Sequence, residues 1–451
     1  MRPVLLAVAG LAYLVVLWSL HPRLQAWWLA FLMVPQVYLP GLPLTLAEAT
    51  AAAVVVQALG RQRRAMSNRP VVAGAVVCAL ASLIAAAYSP DRNAALSTAF
   101  RFALFAGLIH ASASLFPERS DRLRAMWALA PWIALEAALA IYFRARPEQE
   151  LVFMRTRVAD TIVGPWAAGL FDGQVNNVLD PLKSGGLFVN GNVASMFLGA
   201  SMFFCLLLFR LSRRRAALFL ACLSGVAAIA TGSKTGAVLT VVLLVVAALL
   251  QWARTWSRLA FVLALLPLLL LIAVQGANRL ERAIPVFGKE SLDSLDSRLP
   301  LWRLVEQVFF AHPTLGLGYG GWQEAAQTTL PPHNLLIAAW ANGGLLLLGG
   351  VLLTIGAVLR KCLQALGDAR VPRLAGTAAT CIFTWVFLHG MADNTAIYGE
   401  SKTMILLVLA LSWVTPARET SEEGPAANEP RSVVTDAGRR SLVPSLEGAC
   451  V

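Results

Sequence analysis

The 451 residues are 58% hydrophobic and 14% charged, with a mean hydropathy of +0.66; a soluble chain this long could not cover itself with so little polar surface. A formal charge of +12 would suggest a nucleic-acid partner in a soluble protein. Here the basic residues sit in short loops between apolar runs, where they set membrane orientation, and no nucleic acid is implied.

Apolar runs of spanning length recur about 12 or 13 times, and the absence of alternating strands excludes an outer-membrane barrel. The predicted fold class is all-α, a polytopic membrane protein with about 12 transmembrane helices and two long periplasmic loops. Residues 1–143 form the N-terminal transmembrane helices. The first run, Val4 to Leu20, is signal-like, but no small-residue cleavage site precedes His21, so it reads as a retained helix. Leu24 to Pro43 is one span, two short pieces or a re-entrant segment. Glu48, Arg101 and Glu136 are ionisable groups within spans, either functional or engaged in helix packing and snorkelling.

Four basic clusters follow spans: Arg61, Arg63, Arg64 and Arg69; Arg119, Arg122 and Arg124; Arg210 with Arg213 to Arg215; and Arg360, Lys361, Arg370 and Arg373. The positive-inside bias assigns them to the cytoplasm. Counting helices between them leaves two long loops outside, residues 144–186 and 276–332, separated by transmembrane helices over 187–275. C-terminal transmembrane helices occupy 333–416, and the polar stretch 417–451 reads as a disordered cytoplasmic tail. The six cysteines, Cys78, Cys205, Cys222, Cys362, Cys381 and Cys450, avoid both long loops and have no metal-site or disulfide spacing.

The polar motifs fall on the same outer side. Leu187-Phe188-Val189-Asn190-Gly191-Asn192 enters a span, where two asparagines either cap the helix or bind a polar ligand. Thr231-Gly232-Ser233-Lys234 makes a tight turn with one cation. The second long loop opens polar, with Lys289, Glu290, Asp293 and Asp296, and becomes amphipathic from Arg298 to Phe310. Trp302, Val305 and Phe309 form one stripe while Arg303 and Glu306 point elsewhere, which predicts a helix lying in the interface with its apolar face on lipid. Gly316, Gly318, Gly320 and Gly321 then let a backbone approach a bulky ligand closely. Pro331-Pro332-His333-Asn334 opens the next span. A histidine there suits general-base work at neutral pH, and the outer cations Lys234, Arg298 and Arg303 suit either lipid headgroups or a diphosphate. Asp393 and Glu400, before the last span, orient a base, bind sugar hydroxyls or cap a helix.

The Leu187–Asn192 entry, the Thr231–Lys234 turn, Arg298 with Trp302, the Pro313–Gly320 run, and His333-Asn334 with Gly344 beyond occur in one order over residues 187–360. This order resembles the O-antigen ligase and polymerase superfamily. The resemblance implies a bacterial inner-membrane glycosyltransferase, inverting and metal-independent, that needs no cofactor. Its implied donor is an undecaprenyl-diphosphate-linked glycan and its acceptor lipid A-core, another lipid-linked glycan or a protein hydroxyl, with membrane lipids around it. Carried onto this chain, His333 is the base and Arg298 and Lys234 hold the diphosphate; Asn192, Asn334, Arg303 and Asp393 are the candidate substrate-binding residues. Two positions depart from the family: lysine stands at Lys234 where arginine is usual, and Leu345 to Leu348 replace the threonines common in ligases, which weakens the ligase reading against a polymerase without displacing it.

Overall fold

The computed structural model describes residues 2–39, 44–61, 68–172, 177–283, 298–328, 330–393 and 395–415, and within them no extended strand occurs. The apolar runs become helices because a backbone in lipid must satisfy its own polar groups; prolines or polar caps open several of them, as Pro22, Asp91, Asn190, Ser233 and Asn334 do. In chain order these are α1 (Arg2–Ser19), α2 (Pro22–Leu32), α3 (Leu46–Arg61), α4 (Arg69–Ala85), α5 (Arg92–Leu115) and α6 (Arg119–Ala145). Three short helices follow, α7 (Pro147–Met154), α8 (Arg157–Ile162) and α9 (Pro165–Gly169). Then come α10 (Gly191–Ser212), α11 (Arg215–Ala230), α12 (Lys234–Trp252), α13 (Trp256–Ala283), α14 (Arg298–Ala311), α15 (Gly321–Ala326), α16 (Leu335–Gly367), α17 (Arg373–Ala392) and α18 (Ser401–Trp413).

Among the described residues, seven helices have the length and hydropathy of membrane spans and five more are shorter apolar helices, which agrees with the expected all-α polytopic fold. Of the ambiguous Leu24–Pro43 stretch, the described part is the 11-residue α2 followed by irregular chain to Leu39, and residues 40–43 lie outside the described residues. α13 continues past Gly276 to Ala283, deeper into the expected second loop. Lys289, Glu290, Asp293, Asp296, Cys450 and the expected tail lie outside the described residues.

The basic turns gather at one end. Arg23 pairs with Glu118 and Asp121, Gln57 donates to the Trp18 carbonyl, and Arg373 donates to the carbonyls of Leu250 and Leu366. At the other end the first long loop folds back as α7 to α9; Trp166 Nε1 donates to Tyr38 Oη at 3.2 Å. Cys78, Cys205, Cys362 and Cys381 are buried as small core residues, while Cys222 is exposed.

α10 and α17 form the centre: 78% of the apolar window of each is buried, against 11% for α13. Since lipid is as apolar as leucine, helices in a bilayer associate through close packing at small residues. Gly199 on α10 supplies such a contact, because a β-carbon there would lie 2.0 Å from the Trp385 ring of α17. Gly199→Ala is therefore expected to destabilise the protein by about 1–3 kcal/mol through overpacking, read as a lower melting temperature in detergent. Gly356→Ala, where nothing lies within 4 Å, is the matched control and should melt as the parent does.

Candidate active site

His333 stands at the junction of the second loop and α16. Asn334 caps that helix, its Oδ1 accepting from the backbone N–H groups of Leu336 (3.0 Å) and Ile337 (3.2 Å). Its Nδ2 donates to the Met391 carbonyl at 3.2 Å, so the side chain ties α16 to the end of α17 and is engaged by the chain's own backbone. His333 has φ +50°, a left-handed conformation that residues with a β-carbon adopt infrequently and that surrounding structure must impose. The cap behind it and the buried Pro332 before it do so.

Because α17 ends at Ala392, Asp393 is delivered to the same place. Its Oδ1 lies 3.6 Å from His333 Nδ1, with the two side chains 20% (His333) and 13% (Asp393) exposed. A carboxylate at Nδ1 selects the tautomer whose Nε2, on the far side of the ring, accepts a proton, and such contacts are commonly long before substrate arrives. Asp393 thus faces the His333 imidazole. It occupies the C-cap position of α17, and Glu400, at the N-cap position of α18, makes no side-chain capping bond. Burial raises the Glu400 carboxyl above its ordinary range, with Arg101 and Lys402 opposing the shift and Asp393 adding to it.

The start of α16 is broken. Gly343 and Gly344 leave helical geometry, Gly344 at φ +63° and ψ −159°. Backbone groups freed by the break are taken up by the Pro313–Leu317 segment, with Leu345 N–H donating to Thr314 O (2.9 Å) and Leu317 N–H to Ala341 O (2.7 Å), and the Trp340 side chain adds Nε1 to Pro313 O (3.1 Å). The glycine run serves this docking. A β-carbon on Gly316 would lie 2.2 Å from Trp340 O, and one on Gly318 2.8 Å from Ser89. The close approach expected of these glycines is therefore to the chain itself. Tyr319 completes the strap, its hydroxyl 2.8 Å from Ser82 Oγ and its carbonyl accepting from Asp91 N–H.

α14 follows the predicted helix, but Val305 and Phe309 pack on protein. Val308, Trp322, Trp340 and Ala341 form a small core against Leu304, Val305 and Phe309, with Phe309 and Trp340 ring centroids 5.1 Å apart. The expected lipid-facing stripe is corrected accordingly: the loop supplies Trp322 and the broken helix Trp340, so the stripe finds aromatic partners, and Phe310 is the exposed apolar residue, at 75%. Arg298 and Arg303 occupy the first turns of α14; their side chains, and that of Trp302, lie outside the described residues.

Lys234 opens α12, with Ser233 as N-cap. Gly232, at φ +75°, packs so tightly on the preceding loop that a β-carbon would meet Leu182 O at 2.1 Å and Lys183 Cα at 3.3 Å. Lys183 is accordingly a cationic neighbour of Lys234, a proximity hidden in the sequence by the helices between them. The mouth of α10 adjoins this turn, since Ser184 N–H donates to Thr231 O at 3.1 Å. Asn190 is the cap of α10, accepting from Asn192 N–H (2.9 Å) and Val193 N–H (3.2 Å). Asn192 is half-buried in the first turn, with His389 near its backbone.

Charged residues within the spans, and Glu150 of α7, hold this end together. Arg101 Nε donates to Glu48 Oε1 at 2.8 Å, and Ser401 Oγ to the same oxygen at 3.2 Å. Glu136 accepts from Leu187 N–H (2.8 Å); Glu150 accepts from Gly185 N–H (2.8 Å) and Gly186 N–H (2.9 Å). Burial pushes the Glu150 carboxyl up to about 7, against the two amide bonds that favour its charged form. Lys402 donates to the Leu187 carbonyl. Neither Glu150 nor Lys402 stood out in the sequence; an acid close to three arginines reads as a loop charge, and Ser401-Lys402-Thr403 as an ordinary helix start.

Residues 216–352 match the O-antigen ligase family. No curated protein matches the chain. The matched stretch holds Lys234, Arg298, Arg303, His333, Asn334 and the Gly343–Gly344 break; Glu136, Glu150, Asn192, Asp393 and Lys402 lie outside it.

Proposed function

Taking as premise that this chain is a member of the O-antigen ligase and polymerase superfamily, we propose that it is an inner-membrane glycosyltransferase of ligase type. It moves glycan from undecaprenyl diphosphate to a hydroxyl of lipid A-core at the periplasmic face. The observation that carries this reading is the His333–Asp393 pair at the end of the bundle opposite the basic turns, with His333 inside the family domain. The positive-inside bias supports a periplasmic position for that end.

In this reading the acceptor oxygen attacks the anomeric carbon and His333 Nε2 takes its proton. The bond from that carbon to the diphosphate oxygen breaks, and the electron pair leaves on undecaprenyl diphosphate. Asp393 stabilises the imidazolium that forms. Lys234 and Arg298 meet the charge developing on the leaving diphosphate, where fixed cations lower the barrier most. Lys234 offers a point charge in place of the planar fork of arginine; the neighbouring Lys183 adds a second. Asn192 and Arg303 are the proposed contacts to the sugars, and no metal or cofactor enters the step. A transporter would line a path through the bilayer with polar groups; the pairing of Glu48 with Arg101 and of Glu136 with the Leu187 turn argues against it.

A second reading, a repeat-unit or exopolysaccharide polymerase, has Leu345 to Leu348 in its favour. Lipopolysaccharide electrophoresis of a deletion strain separates the two. Loss of a ligase leaves core without O-antigen while long polymer remains on the carrier lipid; loss of a polymerase leaves core bearing one repeat. Unchanged lipopolysaccharide and unchanged secreted polysaccharide would sink both.

A further inference from the structure

The backbone of Leu187 is gripped on one side by an acidic side chain and on the other by a lysine. Glu136 takes its N–H and Lys402 its carbonyl, while Glu150 takes the two preceding N–H groups and Ser184 Oγ donates to Ala140 O at 2.7 Å. Lys402 is only 9% exposed, and its ammonium lies 4.8 Å from the centre of the Phe188 ring. Burying an ammonium among helices carries a large desolvation cost that an apolar residue in the same place would not incur. An apolar residue there would also leave the Leu187 carbonyl without its donor.

The gripped turn and the base share one support. Asp393 and Lys402 stand at the two ends of the connection between α17 and α18, with Glu400 between them, facing Arg101, Asp393 and Lys402. On its other side the Leu187 turn leads through Asn190 into the mouth of α10. It also leads back through Ser184 to the Thr231 carbonyl beside Lys234. Neither Lys402 nor its carboxylate partners belong to the stretch that matches the family.

We propose that Lys402 is a positioning residue, which locks the Ser184–Asn190 turn to the α17–α18 connection and thereby fixes the spacing between the cationic α10–α12 mouth and the His333–Asp393 pair. The proposal rests on the reading of that mouth as the diphosphate side of the site. A misplacement of about 1 Å far from the reacting atoms is enough to weaken a transfer step substantially.

The test is the double variant Lys402→Met with Glu136→Gln, which removes both charges so that neither is left buried alone. Two measurements are made on the full chain in detergent, amide hydrogen exchange and glycan transfer from a polyprenyl-diphosphate donor. Exchange over residues 184–192 is expected to quicken by about tenfold while the central helices stay protected, and the donor KM to rise about tenfold with an unchanged pH profile. Unchanged exchange in that segment overturns the clamp; quickened exchange with wild-type KM and kcat overturns its role in positioning. Hydrogen exchange needs no substrate, so a protein that fails to use the donor refutes the diphosphate reading while the clamp is still measured.

Discussion

His333→Asn is expected to lower glycan transfer by roughly 10²–10⁴-fold, the range for losing a general base, while the protein accumulates in membranes at the parent level. Asparagine is the informative substitution because it tolerates a positive φ better than most residues, and His333 sits at φ +50°. Alanine would confound loss of the base with backbone strain. Asp393→Asn should fall between the variant and the parent, since an amide 3.6 Å from Nδ1 still orients the ring but does not stabilise the imidazolium. Transfer is measured with purified protein, a lipid-linked donor and separated products. Near-parental turnover by His333→Asn would remove His333 from the chemistry.

Gly344→Ala is expected to damage the site without touching a reacting group. At φ +63° and ψ −159° the backbone is in a region nearly confined to glycine, which costs other residues about 1–3 kcal/mol. A β-carbon would also lie 1.9 Å from the Thr314 carbonyl that accepts from Leu345. The break in α16 must then straighten or the Pro313–Leu317 strap must leave, and either displaces the short limb that carries His333. The variant should melt lower and lose most of its transfer activity. Gly349→Ala, in the same helix but with open space around it, should match the parent in both assays.

The helical class and the sorting of basic turns to one end were legible because apolar run length and loop charge are local properties of the chain. His333 was legible from its setting at a helix start. What stayed hidden depends on contacts across long separations. Nothing local to Asp393 and Glu400 says that one faces His333 and the other Arg101. The α14 stripe read as lipid-facing because the sequence marks it as apolar without naming what covers it; Trp322 and Trp340 do so. Glu48, Arg101 and Glu136 were visible as anomalies, but whether each lines a path or clamps a neighbour is decided by partners such as Ser401 and Leu187.

The grip on Leu187 also has a consequence for synthesis. The turn and its lysine are 215 residues apart, so at roughly 5–20 residues per second a nascent chain waits about 10–40 s between them. Throughout that interval Glu136 sits in the membrane without the cation that will face it. A message cut short between codons 187 and 402 yields a chain that has the acid and its turn but not the lysine that completes the grip.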